Sequence, residues 1–487
     1  MDRGRVSRRK FLQLGAMAGG AMALAACPAA PAEAPMAAPE ESSDDDMPMA
    51  EMLDLTLLSL KGTGWPKFNN FIVENFMEQT GHGATLQEAQ WPIRDTVIPA
   101  IAAGTPPDVV HDMGKMSGAL YIEGAYLTLN DLVDAAPFSP DDFIAADIDS
   151  LTFFGDIKKI PFWHNTVPIA VLAYRKDFVD EAGLSQPATE DAWDTYDDLW
   201  DWAGKLQVQD ASGNITRFGW DHIGLTWAGF SVLGGVLDQG GHWWDEGAQE
   251  FTLDTDEVVN ALQTIYFDPV YTYGVSYDNA NAPDVGFTEK LFEGVVAVSQ
   301  MNWPILIALD NDMMDMVEIL GYSEIPGLAP GQHNYCYEGT WGAGIVASAP
   351  AEHHEAAFQL ATMQLQPEVA RVIMEIAGPA SALKSFGDDP FLGELAAKHN
   401  AGALAVFIYQ RDVKYEPTFA GWEWMDGEYF TWPHYRCNPT TGGEERCGES
   451  GLGHIYDGRI TAQQVAEEWQ EAATNRRAEL RKAAGLE

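Results

Sequence analysis

The sequence predicts an α/β protein, in which sheets of short strands are covered by helices. The class is predicted because short apolar runs with β-like spacing alternate along the chain with longer segments of helical periodicity. In addition, 46% of the 487 residues are hydrophobic. This content is enough for real cores, so a disordered or fibrous chain is excluded. The net charge of −45 argues against nucleic acid or anionic membrane surfaces as partners, because both are bound through Lys and Arg.

Export signals occupy the N-terminus. Residues 7–12 read Ser-Arg-Arg-Lys-Phe-Leu, and the apolar stretch that follows them ends at Cys27. A basic head before an apolar segment of this length is typical of a signal peptide. The paired arginines resemble the twin-arginine signal, and Leu24-Ala25-Ala26-Cys27 resembles the lipobox of bacterial lipoproteins. We therefore predict a signal peptide over residues 1–26, acylation of Cys27 and an anchor at the outer face of the cell membrane, periplasmic or extracellular.

A tether follows the signal peptide. Residues 27–51 are rich in Pro, Ala, Glu, Ser and Asp, with few large apolar side chains and three consecutive aspartates. Such a composition does not offset the entropy lost on ordering, so we expect a flexible segment. The globular part begins at residue 52.

The elements of the globular part are predicted in chain order. Leu53–Leu58 alternates in part and reads as a strand, and the next segment places Phe68, Ile72 and Phe76 at helical spacing. A later helix ends at Gly104, which supplies a left-handed cap. The further predicted strands are Asp108–Val110, Val167–Tyr174, Val295–Met301, Met316–Leu320 and Gly344–Ala347, and the further helices are Trp193–Leu206, His353–Leu365 and Ala462–Ala484.

Catalytic and metal-binding motifs are missing from the sequence. It contains no G-x-x-x-x-G-K-[ST], no G-x-G-x-x-G after a strand, no H-E-x-x-H and no G-x-S-x-G. We predict no catalytic residue, no metal site and no cofactor. Thiols outside the cytoplasm tend to pair, and Cys437 and Cys447 flank a polar loop, so we predict a disulfide between them. Whether Cys336 is then free stays open.

An ordered series of segments resembles the extracellular solute-binding proteins of the large sugar-binding group, relatives of maltose-binding protein that serve ABC importers. A helix ending in alanines leads to Gly-Thr-Pro-Pro-Asp-Val-Val at residues 104–110, similar to a stretch of that family. Residues 339–347, Gly-Thr-Trp-Gly-Ala-Gly-Ile-Val-Ala, resemble its Gly-Gly-Trp-Gly segment. The other similar segments are residues 124–129, 161, 173–177, 182–184, 187–189 and 296–303.

The resemblance implies a two-lobed periplasmic-binding-protein fold of the type II-like kind, with crossovers between hinged lobes and a ligand cleft between them. The crossovers are expected near residues 161–166, 321–326 and 377–385. The expected organisation is lobe 1 over residues 52–162 and 324–378, lobe 2 over residues 163–323 and 379–455, and a C-terminal helix over residues 456–487.

Tryptophan is the main candidate for ligand contact, and the chain has sixteen. The C–H face of a pyranose packs on a flat indole, while its hydroxyls need polar partners, because an unpaired buried polar group costs about 1–3 kcal/mol. Tryptophans in loops that follow strands are therefore preferred, whereas Trp193, Trp200, Trp202 and Trp469 on amphipathic helices are assigned to packing. The predicted ligand-binding residues are Trp303, Trp341, Trp65, Asp112, Trp163, Asn165, Trp227 and Trp91.

We thus expect a lipid-anchored, monomeric binding protein that captures an oligosaccharide, presents it to importer permease subunits and does no chemistry. The first alternative has the same fold but binds a cationic ligand, a polyamine or quaternary amine, since carboxylates and indole faces also form cation–π cages. The second is a secreted glycan-degrading enzyme. The third is a receptor that only senses its ligand.

Overall fold

The alternation of strands and helices builds two five-stranded sheets. The computed structural model describes residues 52–62, 64–90, 93–114, 118–164, 171–221, 228–278, 281–283, 285, 289–301, 306–307, 311, 318–329, 340–412, 421, 424, 458 and 460–486. The strands are β1 (Asp54–Leu60), β2 (Gly83–Ala89), β3 (Val109–Met113), β4 (Thr152–Phe153), β5 (Asp156–Ile157), β6 (Ile160–Trp163), β7 (Val171–Arg175), β8 (Val208–Gln209), β9 (Ile215–Asp221), β10 (Trp244–Asp245), β11 (Glu250–Phe251), β12 (Val296–Met301), β13 (Leu320–Glu324) and β14 (Trp341–Ile345).

Helices connect the strands and cover the sheets. They are α1 (Trp65–Thr80), α2 (Arg94–Ala102), α3 (Gly118–Ile122), α4 (Asn130–Asp134), α5 (Ala145–Ser150), α6 (Lys176–Glu181), α7 (Tyr196–Leu206), α8 (Ala228–Asp238), α9 (Asp256–Leu262, continued by a π-helix, Gln263–Thr272), α10 (Glu289–Glu293), α11 (His354–Thr362), α12 (Pro367–Ala377), α13 (Phe391–Lys398), α14 (Asn400–Asp412) and α15 (Ala462–Ala483). Within the described ranges, no helix combines the length and the apolar character that a bilayer crossing requires.

Sheet one has the strand order β2-β1-β3-β14-β6. β1 pairs in parallel with β2 and β3, and β14 is antiparallel to β3 and β6. The carboxyl ends of β1, β3 and β6 therefore lie at the same edge of the sheet, together with the amino end of β14. In open α/β sheets, the loops at this edge are where ligands bind.

Sheet two has the order β13-β7-β12-β9-β8. Its strands β9 and β12 are parallel, and β7 is antiparallel to β12 and β13. The carboxyl ends of β9 and β12 thus meet at one edge. The chain passes from sheet one to sheet two between β6 and β7 and returns between β13 and β14, and this gives two lobes linked by crossovers.

Each sheet has its own covering helices. In sheet one, α1 packs on β1 and β2 through Phe68, Ile72 and Phe76, which are buried, and α11 and α12 pack beside it. In sheet two, α7 lies on β9, α10 on β12 and α14 on β13. Burial of one apolar helix face against a sheet is the main driving force for this layering.

Most element boundaries differ from the sequence expectations by a few residues. The helix expected over Trp193–Leu206 begins at Tyr196, because Thr195 and Asp198 form a reciprocal capping box before it. The strand expected at Met316–Leu320 is observed at Leu320–Glu324. Gly104 has a φ of 73°, so its predicted left-handed conformation is confirmed. Local periodicity identifies the elements but not their ends, which capping and strand pairing decide.

At two crossovers, strand pairing extends one residue past an expected lobe limit, while the limits themselves stay a prediction. Trp163, placed in lobe 2 by the sequence, pairs with Trp341 in sheet one. Glu324, placed in lobe 1, pairs with Val171 in sheet two. In both cases the strand continues one residue past the expected limit.

Candidate functional site

Three predicted ligand-binding tryptophans, Trp65, Trp163 and Trp341, form one cluster. The ring centroids of Trp65 and Trp341 are 4.5 Å apart, those of Trp65 and Trp163 are 5.3 Å apart, and those of Trp163 and Trp341 are 5.9 Å apart with an interplanar angle of 19°. Trp163 and Trp341 are buried, and Trp65 is half-buried. We call these three residues the indole cluster.

Sheet pairing positions the indole cluster. Trp163 is the last residue of β6 and pairs with Trp341, the first residue of β14. Trp65 opens α1, directly after the loop that follows β1, where Gly64 has a φ of 82° and Pro66 occupies the first turn. All three residues therefore lie at the edge of sheet one where β1, β3 and β6 end. This edge is the expected position of a ligand cleft in a sheet of this kind.

The indole N–H of Trp163 has no hydrogen-bond acceptor among the described residues. Its Nε1 is buried, and no described residue supplies an acceptor. A buried N–H without a partner costs about 1–3 kcal/mol. An acceptor from a ligand hydroxyl would satisfy this donor.

Asp112 lies within β3, whereas the sequence placed it just beyond the strand. Its carboxylate Oδ2 lies 2.8 Å from the Lys159 Nζ and accepts a hydrogen bond from the Tyr126 hydroxyl at 3.1 Å. All three residues are buried. Gly342 and Gly344 of β14 make room for this group, since a Cβ on Gly342 would lie 2.8 Å from the Lys159 Cβ and one on Gly344 would lie 2.8 Å from the Tyr126 ring.

Burial and the charge of Asp112 shift the pKa values of this network, in opposite directions at Lys159 and in the same direction at Tyr126. Burial lowers the pKa of the Lys159 ammonium, and the neighbouring carboxylate of Asp112 partly opposes the shift. Burial also raises the pKa of the Tyr126 hydroxyl, and Asp112 raises it further. The phenol therefore stays neutral and donates to the carboxylate. Asp112, Lys159 and Tyr126 thus form a fixed polar group inside sheet one.

Sheet two contains a similar network at the end of β9. Lys290 Nζ lies 2.6 Å from the Tyr277 hydroxyl and 3.4 Å from Asp221 Oδ1. Tyr277 donates to Asp221, and the Ser299 hydroxyl donates to the other carboxylate oxygen at 3.3 Å. Burial raises the pKa of the Asp221 carboxyl. Each sheet therefore has a buried Asp–Lys–Tyr group in or beside a strand that ends at the edge where the carboxyl ends of its parallel strands meet.

Sequence reasoning missed Lys159 and Lys290, because a lone Lys among mixed residues reads as a surface side chain. The alternate glycines at positions 342 and 344, although distant in sequence, are a signal for the burial of Lys159, since they leave one face of a buried strand without side chains.

The crossovers between the sheets are joined by a buried hydrogen-bonded group. Asp147 of α5 accepts from the Thr340 hydroxyl, and its Oδ2 lies 2.8 Å from the His164 Nδ1. The His164 backbone N–H donates to the Ala380 carbonyl oxygen at 2.9 Å. His164 begins the connection from β6 to β7, Thr340 ends the connection from β13 to β14, and Ala380 lies in the segment that follows α12. Asp147 and His164 therefore connect these three segments.

A Ser–His contact in sheet one does not provide an exposed nucleophile. Ser59 Oγ and His111 Nδ1 are 3.5 Å apart, beyond the usual 2.6–3.2 Å of an activated pair, and both side chains are fully buried. Burial lowers the pKa of His111 to about 3, so its imidazole is neutral near pH 7. Among the described residues, no group of three or more His, Cys, Asp or Glu side chains could hold a metal ion.

The other predicted site residues lie outside the described residues. These are Trp303, Asn165, Trp227 and Trp91, together with Cys27 and the predicted Cys437–Cys447 disulfide, and Cys336 lies there too.

Known structures with this fold are numerous, although a comparison with curated proteins gives no match. Maltose-bound MalE3 from T. maritima is 19% identical, with a TM-score of 0.65 over 86% of this chain and 99% of that one. The substrate-binding protein Lmo0181 from Listeria monocytogenes, in complex with cycloalternan, is 18% identical, with a TM-score of 0.64 over 89% and 100%. UgpB from Mycobacterium tuberculosis, in complex with glycerophosphocholine, is 16% identical, with a TM-score of 0.64 over 90% and 99%.

These similarities confirm the α/β, two-lobed architecture inferred from the sequence. A family model matches residues 66–371, a range that includes the strands of both sheets except β1 and contains Trp163 and Trp341 of the indole cluster. With its two sheets, its crossovers and this match over most of its length, the chain belongs to the bacterial extracellular solute-binding proteins.

Proposed function

We propose that this protein captures a carbohydrate, an oligosaccharide, in the cleft between its lobes and presents it to the permease subunits of an ABC importer. The observation that carries this proposal is the indole cluster at the ligand-facing edge of sheet one. Flat apolar rings beside polar groups suit a sugar, which has both C–H faces and hydroxyls. The bound ligands named for MalE3 and Lmo0181, maltose and cycloalternan, support the same ligand class.

Within this proposal, Trp65 is the stacking platform, because it is half-buried whereas Trp163 and Trp341 are buried. The rings of Trp163 and Trp341 pack against the ring of Trp65. The Trp163 N–H donates a hydrogen bond to a ligand hydroxyl. Asp112 contributes by fixing Lys159 inside sheet one. Trp303, Trp227, Trp91 and Asn165 remain proposed as further contacts on the strength of their positions in the sequence.

The proposal includes the lobe organisation and the anchor. Lobe 1 consists of residues 52–162 and 324–378, and lobe 2 consists of residues 163–323 and 379–455. Two residues change sides, because Trp163 pairs within sheet one and Glu324 pairs within sheet two. The lipid on Cys27 and the tether over residues 27–51 hold the binding domain near the permease. Ligand binding closes the lobes by hinge rotation and does not transform the ligand.

A second candidate is a cationic ligand such as a quaternary amine. UgpB, a structural neighbour, is described in complex with glycerophosphocholine, and the net charge of −45 favours cations. The carbohydrate is preferred because the charge of the chain is a property of its whole surface, whereas the indole cluster is local to the cleft edge.

A melting-temperature screen separates the two ligands. The mature protein is heated with maltose, maltotriose, larger oligosaccharides, choline, glycerophosphocholine and spermidine. A ligand at 100 times its Kd adds about 2.7 kcal/mol to the free energy of unfolding. Stabilisation by sugars supports the proposal, and stabilisation by amines alone contradicts it. Sugar recovered after incubation and found shortened by mass spectrometry would instead establish a glycan-degrading enzyme.

A further inference from the structure

Trp163 and Trp341 form the last pair between β6 and β14, and the pairing beside them is irregular. The next residue of β14, Gly342, pairs with Pro161, so Phe162 is left between the two pairs as an extra residue of β6. Such a β-bulge bends a strand and redirects its side chains, and bulges are over-represented next to functional sites. The two indoles are therefore carried by a pair that the regular ladder of the sheet does not fix by itself.

Beyond this pair, the two chain segments are joined by one side chain. The residue that follows the pair in β6 is His164, and its Nδ1 lies 2.8 Å from Asp147 Oδ2. The residue that precedes the pair in β14 is Thr340, and its hydroxyl donates to Asp147 Oδ1. The backbone N–H of His164 donates elsewhere, to the Ala380 carbonyl oxygen at 2.9 Å. The Asp147 carboxylate thus joins the two segments at the point where the ladder ends.

Asp147 is held in place at both ends of α5. At the start of the helix, the Ile144 backbone N–H donates to the Ala382 carbonyl oxygen at 2.9 Å. Near its end, the Ser150 hydroxyl donates to the Asp147 carbonyl oxygen at 2.9 Å. The carboxylate and both of its side-chain donors are buried. A buried carboxylate with a donor on each oxygen has little freedom to move, because a buried donor without an acceptor is costly.

We propose that Asp147 is a positioning residue for the ligand site. By joining the segments on either side of the irregular pair, it keeps the rings of Trp163 and Trp341 packed against each other and against Trp65. Asp147 acts through the backbone of its two donors and does not touch the ligand. The inference rests on the proposed function, because it takes the indole cluster as the surface that binds the sugar.

Fluorine NMR measures the environment of the rings directly in the ligand-free protein. The mature protein is labelled with 5-fluorotryptophan, and the two resonances are assigned through Trp163→Phe and Trp341→Phe. Thr340→Val removes one hydrogen bond to the carboxylate at nearly constant volume, and Asp147→Asn leaves one acceptor oxygen for two donors. We expect both Thr340→Val and Asp147→Asn to shift or broaden the two assigned resonances. Thr340→Val alone decides if Asp147→Asn does not fold.

The affinity for sugar is the second readout. Isothermal titration calorimetry uses the sugar that stabilises the wild type most, at a temperature well below the melting temperature of each variant. We expect the Kd to rise about threefold to tenfold in Thr340→Val and Asp147→Asn, the change that corresponds to the loss of one buried hydrogen bond.

The control is Thr80→Val, at the opposite end of α1 from Trp65. The Thr80 hydroxyl donates to the Phe76 carbonyl oxygen at 2.7 Å and accepts from the His82 backbone N–H at 3.2 Å. Its removal should lower the melting temperature and leave the two resonances and the Kd unchanged.

Two results would overturn the proposal. If the two resonances keep their wild-type positions and widths in Thr340→Val and Asp147→Asn, Asp147 stabilises the fold without positioning the rings. A sugar Kd equal to that of the wild type in both variants overturns it as well. If no sugar binds to the wild type, the carbohydrate proposal is contradicted, while the ligand-free resonances still decide whether Asp147 positions the rings.

Discussion

Within the indole cluster, the three side chains differ in how deeply each is buried. Trp163 and Trp341 are buried, and their removal would leave cavities in sheet one. Trp65 is half-buried, so its removal should disturb the core of sheet one less than removal of the other two rings. Loss of binding and loss of stability are therefore most clearly separated at Trp65.

Trp65→Ala is expected to weaken the binding of the stabilising sugar by about 1–3 kcal/mol, because a stacked indole contributes this much at a buried contact. Isothermal titration calorimetry measures the change. The matched control is Trp193→Ala, a half-buried indole that packs on Trp202 of α7 in the other lobe. It lowers the melting temperature and keeps the affinity. Equal affinities for wild type and Trp65→Ala would remove Trp65 from the site.

His111 makes stability depend on pH in the acid range. Burial lowers its pKa from 6.5 to about 3 in the folded protein, so between these values the unfolded chain binds a proton that the folded chain does not. The stabilisation is complete above pH 6.5 and is lost as the pH falls towards 3, by at most about 1.4 kcal/mol per pH unit.

The variant His111→Phe isolates this effect, because it keeps a ring beside Phe162 and removes the titration. Urea unfolding at several pH values is the measurement. The free energy of unfolding should fall less steeply for the variant than for wild type between pH 6.5 and 3. Parallel curves for the two proteins would show that His111 is protonated in the folded state.

At the scale of the elements, one buried carboxylate contacts two of the segments that connect the sheets. Asp147 holds His164 and Thr340, and His164 in turn holds Ala380. Asp147→Ala leaves two buried polar side chains without their partner, so we expect the free energy of unfolding to fall by about 3 kcal/mol. Asp134→Ala, at an exposed position of α4, should change it by less than about 0.5 kcal/mol. Denaturant unfolding of both variants checks the difference, and similar values would show that Asp147 does not hold the crossovers.

Elements were predictable from the sequence where a local signal was strong. Thr195 and Asp198 form a capping box that limits α7, and the buried face of α1 follows its apolar spacing. Trp65, Trp163 and Trp341 were each expected to contact ligand, from a place after the first strand, at the first crossover and in a family-like segment. The packing of the three rings on one another was not predicted, because it depends on the pairing of β6 with β14. Lys159 could not be predicted in the same way, because its burial depends on Asp112 and on space left by a distant strand.

For the whole molecule, the charge of −45 on 487 residues is the dominant property. Like charges repel one another in the compact state, and dissolved salt screens this repulsion, with a Debye length of about 10 Å at 0.1 M and about 3 Å at 1 M. We expect the melting temperature of the ligand-free protein to rise as NaCl increases from 0.05 to about 1 M. Differential scanning calorimetry measures the trend, and a fall over this range would mean that attractive ion pairs outweigh the net repulsion.

The central claim is that two lobes close over an oligosaccharide. Small-angle X-ray scattering of the mature protein, titrated with a series of oligosaccharides, tests it most directly, because hinge closure reduces the radius of gyration without changing the mass. We predict a saturable contraction with at least one sugar and none with choline or spermidine. A radius that is constant across all sugars, or that contracts only with amines, would contradict the account.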